Sequence, residues 1–155
     1  MSARRGRALD LSIARVGVDW APSGKAVARV AAGVLAAERT RLARLSITFV
    51  GDADIARMNF RWFHKRRVTD VIAFALEDPL GTAGDVYIAP GVARRNAARL
   101  QVSATTEVLR LVIHGVLHVL GYDHPEGLSR VRSKMWRRQE ALVERLVSAE
   151  AARRA

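Results

Sequence analysis

The sequence predicts a layered domain of the α/β (α+β) class, and three observations carry that expectation. Segments of apolar–polar alternation take turns along the chain with segments whose apolar residues recur at helical spacing, giving about four strands and about five helices. At 155 residues the chain has the size of one domain. Half of its residues are hydrophobic, but they come in short runs broken by charge. That is enough for a buried core and too little for a membrane span, which needs ~18–20 consecutive apolar residues. No linker, repeat or low-complexity tract divides residues 1–155, so a single domain is expected, loose near 1–7 and 148–155.

Leu9 to Val18 alternates as a first strand and ends before the turn signal Ala21-Pro22-Ser23-Gly24. From Lys25 the residues Val27, Val30, Ala31, Val34 and Leu35 mark a helix. Leu45–Val50 is a second strand, closed by Gly51-Asp52, with Asp52 as N-cap of a helix from about Ala53 to Phe63. The basic cluster His64-Lys65-Arg66-Arg67 reads as a loop. Thr69–Leu76 is a third strand, Glu77 to Ala83 a loop, and Gly84–Ala89 a fourth strand that Pro90 ends. Gly91 to Leu100 forms a helix with Val92 and its Ala and Leu positions inward. Glu107 to Leu120 is apolar nearly all round, the pattern of a buried central helix, and Gly121 suits its C′ position. The last helix, Arg130 to Val147, sets Met135, Gln139, Leu142 and Leu146 on one stripe.

Charge and cysteine content narrow the function. The chain has no Cys, which excludes a disulfide framework, a thiol nucleophile and thiolate-bound zinc. The basic N-terminus is not followed by the apolar stretch of a signal peptide, so a reducing cytoplasm is the expected compartment. Lys and Arg number 26 against 15 Asp and Glu, a net charge of +11, and only Lys25, Lys65 and Lys134 are Lys. Such a surplus concentrates polyanions at the surface, and Arg forks onto phosphate and stacks on bases. A coding bias accounts for Arg over Lys without a ligand, but accounts less well for the net charge.

Three of the four histidines fall in His114-Gly-Val-Leu-His118-Val-Leu-Gly121-Tyr-Asp-His124. His114 and His118, four apart, share one helix face and can reach the same ion. Gly121 lets the chain turn so that His124 supplies a third imidazole just past the helix end. Three neutral imidazoles without a thiolate suit one zinc ion with a position left open, the pattern of a catalytic metal site. The spacing H-x3-H-x2-G-x2-H is shared with metzincin peptidases. Those need Glu straight after the first His as general base, and here that position is Gly115.

The motif His114-Gly115-x-Leu117-His118-x-x-Gly121-Tyr122-Asp123-His124 resembles the signature of the YbeY-type endoribonucleases, bacterial rRNA maturation factors. Met58-Asn59, Thr69-Asp70-Val71-Ile72-Ala73-Phe74, Gly84-Asp85-Val86-Tyr87-Ile88 and Asn96-Ala97 resemble further blocks of that family in the same order, over about residues 45 to 145. The resemblance implies a mixed four-stranded sheet flanked by helices and one zinc on His114, His118 and His124. It also implies single-stranded RNA as substrate, in 16S rRNA 3′-end processing and ribosome quality control. The family pattern often carries Arg four residues after the Asn; here that position is Phe63, with Thr69 in register.

Asp123 and Asp70 are the candidate catalytic carboxylates. Asp123 serves either as an acceptor that orients a histidine ring or as the base; Asp70, like Asp85, either caps a strand end or joins the chemistry. Arg61, Lys65, Arg66 and Arg67, beside Trp62 and Phe63, form either an RNA-binding mix of cations and aromatics or a solvated basic loop. The leading reading is a zinc-dependent single-strand endoribonuclease acting on rRNA and the ribosome, with no membrane and no DNA specificity. A non-catalytic zinc-stabilised RNA-binding maturation factor is the alternative, and a zinc peptidase the least favoured.

Overall fold

The computed structural model describes residues 8–125 and 127–154; the expectation of loose residues 1–7 falls outside them. Strand β1 (Asp10–Val16) leads through helix α1 (Gly24–Ala37) to β2 (Arg44–Val50). Helix α2 (Asp52–Phe63), the hairpin β3 (Val71–Asp78) and β4 (Gly81–Ile88), α3 (Pro90–Leu100) and α4 (Ala104–Val119) follow. A 3-10 turn (Leu128–Arg132) precedes α5 (Lys134–Leu142), which continues through a π-type turn (Val143–Val147) into α6 (Ser148–Arg154). The strands form one mixed sheet of order β1-β2-β4-β3. β1 and β4 run parallel to β2, and β3 runs antiparallel to β4 at an edge.

Alternation decides what each face covers. Leu45, Ile47, Phe49, Val86 and Ile88 are buried in the main core with residues of α1, α4 and α5. Val50 and Ile72 join Ile55 of α2 and Ala89 in a smaller cluster that also packs Met58, Phe74 and Tyr87. Helix α4 is the hub, packing on α1, α3, α5, β3 and β4. It lies close to β4 because two glycines permit it. A Cβ at Gly84 would stand 2.5 Å from Cγ1 of Val119, and one at Gly115 would stand 2.5 Å from Cγ1 of Val86. At either position a side chain would force the facing valine or the helix itself to shift.

Local differences from the expected elements have physical causes. Gly51, not Asp52, is the N-cap of α2; Asp52 is the first helical residue, favourable to the helix dipole, and its carboxylate takes Arg95 at 2.7 Å. The expected loop from Glu77 to Ala83 is a tight hairpin, since β3 and β4 pair out to Asp78 and Gly81. Pro90 starts α3 rather than merely ending β4, because its missing N–H is unneeded in a first helical turn. Leu100 faces solvent, and α3 buries Ala93 and Ala97 instead. The last helix starts at Lys134, not Arg130, because Ser133 caps it by accepting the Trp136 N–H at 3.1 Å. Residues 148–154, expected to be loose, are helical, with buried Glu150 accepting two hydrogen bonds from Arg29 at 2.6 and 2.9 Å.

Candidate metal centre

The end of α4 is built to bring three imidazoles together. Gly121 takes φ +98°, its N–H donates to the His118 carbonyl at 3.0 Å, and the Tyr122 N–H donates to the Leu117 carbonyl at 3.0 Å. This pair of bonds is the Schellman reversal that Gly at C′ allows. The reversal returns the chain so that His124 joins His114 and His118. Ring centroids lie 4.7, 5.2 and 5.0 Å apart, and one ligating atom from each residue lies within 4.8 Å of the others. The three histidines can hold a metal ion.

Each ring is oriented by an acceptor on its Nδ1. That of His114 meets Gln139 Oε1 at 2.6 Å, that of His118 the Tyr122 carbonyl at 2.9 Å, and that of His124 the Pro125 carbonyl at 3.1 Å. A carbonyl oxygen only accepts, so Nδ1 carries the proton and Nε2 is left with the free lone pair. Burial pushes the His114 pKa from 6.5 down to about 4, against the Gln139 bond, and burial likewise lowers that of His118. Both are therefore neutral at pH 7, the form that ligates a metal. The donor set and its tautomers fit such an ion.

More distant contacts hold these acceptors. Gln139, buried on α5, donates from Nε2 to Glu140 Oε1 at 3.3 Å, and Arg110 of α4 also donates to that carboxylate. Tyr122 donates from its hydroxyl to Glu38 Oε2 at 2.7 Å, and Arg138 donates to the same Glu38. The turn bearing His118's acceptor is thereby tied to the end of α1.

The histidines form one wall of a cavity of about 820 Å³, faced by Phe63, Lys65 and Arg67, the start of β3, and Arg130. Asn59, buried on α2, donates to the Arg67 carbonyl at 2.9 Å and so holds the basic loop in place. Of the four basic residues expected to meet RNA, Lys65 and Arg67 line the cavity. Arg61 and Arg66 lie outside its lining, their guanidinium groups over the rings of Trp62 at 5.6 Å and Phe60 at 5.1 Å. Asp70 lines the cavity, accepts from Asn96 Nδ2 at 3.3 Å, and has its carboxyl pushed above the usual range by burial. Asp123 differs from the ring-orienting expectation. Its Oδ1 accepts the main-chain N–H of His124 at 2.8 Å, while Gln139 and two carbonyls orient the rings. Asp85 does not line the cavity.

Gln139 and Arg130 join the site without belonging to any of its sequence motifs. The signal for Gln139 was available, a polar residue in an otherwise apolar stripe of the last helix. Arg130 offered none, being one of 23 Arg. Gly115 settles the peptidase comparison sterically, because Val86 occupies the space a Glu side chain would need.

Fold and site together define an α+β domain whose central helix and following turn present three histidines able to hold a metal ion in a cationic cavity. The family model described as Endoribonuclease YbeY matches residues 17–147. Relatives named Endoribonuclease YbeY include one from an Anaeromyxobacter species, 37% identical over 135 residues, covering 83% of this chain and 70% of that protein. Another, from Thermobifida fusca, is 38% identical over 111 residues, covering 64% of this chain and 72% of that protein. A third, from Bifidobacterium animalis, is 40% identical over 89 residues, a match spanning about half of each protein (52% and 49%). The solution structure of TM1509 from Thermotoga maritima superposes with a TM-score of 0.63 at 25% identity, covering 92% of this chain and 93% of that one. The chain belongs to the YbeY endoribonuclease family, nucleases that hydrolyse RNA phosphodiester bonds.

Proposed function

We propose that one zinc ion sits on Nε2 of His114, His118 and His124, and that this centre cleaves single-stranded RNA at the 3′ end of 16S rRNA, in cytoplasmic ribosome maturation and quality control. The observation that carries the reading is the hydrogen bonding of the rings: three Nδ1 groups each meet an outside acceptor, leaving three Nε2 for one ion. Bound there, zinc supplies Lewis-acid chemistry, making a water acidic and polarising a phosphoryl oxygen.

The remaining work falls to the chain's own side chains. Lys65, Arg67 and Arg130, in the same cavity, offset the charge of a phosphodiester and its developing negative charge. Asp70 holds or moves a proton at its carboxyl, a role supported by its raised pKa and its place in the cavity wall. Asp123 keeps the His124 backbone in place. Arg61 and Arg66, outside the cavity, guide more distant phosphates.

The test is cleavage of a labelled 16S rRNA 3′-end fragment by zinc-loaded wild type, chelated protein and His118→Ala. Cleavage is expected only in the first. Equal cleavage in all three would reveal a contaminating nuclease. Zinc-dependent binding without cleavage would favour a non-catalytic maturation factor.

A further inference from the structure

Helix α2 ends in three aromatic side chains left largely in water: Phe60, Trp62 and Phe63 are 45%, 57% and 47% exposed. Exposed rings grouped this way mark a contact surface, but the three differ in setting. Phe60 and Trp62 each carry an Arg guanidinium over the ring. Phe63 lies parallel to Phe74, with ring centroids 6.0 Å apart and planes 4° apart. Phe74 belongs to β3 and is braced edge-on by Trp62 at 5.6 Å and by Tyr87 of β4 at 6.4 Å. Phe63 is therefore the outer ring of a stack anchored in the sheet. It is also the member of the three that lines the histidine cavity, together with Lys65, Arg67 and Arg130.

We propose that Phe63 is a nucleobase subsite: a base of single-stranded RNA stacks against this ring while a neighbouring phosphate reaches the cations and the histidine centre. The proposal rests on the RNA reading of the cavity and adds the group that holds a base there. The ligand chemistry follows from the wall. A half-exposed aromatic ring suits a flat, polarizable partner, and cations in the same cavity take a phosphate joined to it. A cavity of about 820 Å³ has room for both. Every base has a π face, so the subsite favours unpaired over paired strands without strong choice among bases, with purines ahead by their larger area.

The test compares two 5′-fluorescein probes of equal charge, a decamer of adenylate and a decamer of abasic tetrahydrofuran phosphates. Binding to zinc-loaded protein is followed by anisotropy at 4 °C before cleavage accumulates. Phe63→Ala should bind oligoadenylate about tenfold more weakly, with the abasic decamer and the salt dependence of binding unchanged. Phe63→Trp should restore the affinity, and Phe63→Leu, which keeps bulk without a π face, should not. Lys65→Gln with Arg67→Gln should instead weaken both probes and reduce the salt slope by about 1.4. Equal losses of both probes in Phe63→Ala and Phe63→Leu, or no loss in either, would overturn the stacking role while leaving the RNA reading intact. Wild type that binds neither probe would overturn both.

Discussion

Replacing Gln139 by Leu tests how the proposed metal centre is held. The side chain is 3% exposed, and its Oε1 lies 2.6 Å from Nδ1 of His114. Leu has similar bulk but no acceptor, and the buried position keeps water from replacing it. The His114 N–H would be left unpaired, at a cost of about 1–3 kcal/mol. At roughly 2–4 °C per kcal/mol for a chain of this size, metal-free protein should melt several degrees lower. The ring also loses the partner that selects its tautomer, and loss of such a partner weakens metal binding about 10–100-fold. Competition against a chromophoric zinc chelator at pH 7.5 measures that affinity, and thermal unfolding measures the stability. Gln139→Glu keeps an acceptor at the same place and should bind zinc nearly as wild type does. Zinc affinity in Gln139→Leu within twofold of wild type would refute the claim that this bond positions the ligand.

Other expectations follow from the same geometry. His114 titrates at about 4 when folded against 6.5 as a free side chain, so the unfolded state binds its proton first. The neutral ring therefore contributes stability present above pH 6.5 and lost as pH falls towards 4, on the order of 3 kcal/mol. Metal-free wild type and His114→Gln, unfolded in urea across that range, should converge in stability with acidification, and parallel curves would contradict the assignment. Gly115→Ala drives a methyl to 2.5 Å from Val86 and should destabilise the protein by about 1–3 kcal/mol, partly relieved by Val86→Ala. Calorimetry of the two single variants and the double variant checks this, and additive losses would show that the two positions do not meet. Gly115→Glu, for the same reason, should give misfolded protein rather than a peptidase.

Much of this was legible because it is local. The four strands and the main helices follow from periodicity, and the triad from His114, His118, Gly121 and His124 on a helix and its terminal turn. Some differences had local causes, as where Pro90 starts α3 and Ser133 caps α5, and others involve a partner elsewhere in the chain. Asp52 gave way to Gly51 as cap and pairs with Arg95, and α6 is docked through Glu150 to Arg29, 121 residues away in sequence. In the basic run, Lys65 and Arg67 look the same on paper as Arg61 and Arg66. The buried Asn59 bond to the Arg67 carbonyl holds the loop against the cavity, whereas the other two guanidinium groups rest over aromatic rings.

The sequence by itself determined the donor chemistry: three imidazoles, no thiolate, and no carboxylate at position 115. Helix geometry makes residues four apart neighbours whatever surrounds them, and a glycine at C′ permits the reversal that follows. Tertiary structure decided which nitrogen of His114 is free, which cations reach the cavity, and why a side chain at Gly115 would collide with Val86. Those outcomes depend on Gln139, Val86 and Asn59 being brought against residues far along the chain or across the loop. Such pairings come from packing α4 onto the sheet, a free energy shared by the whole core rather than encoded at any one position.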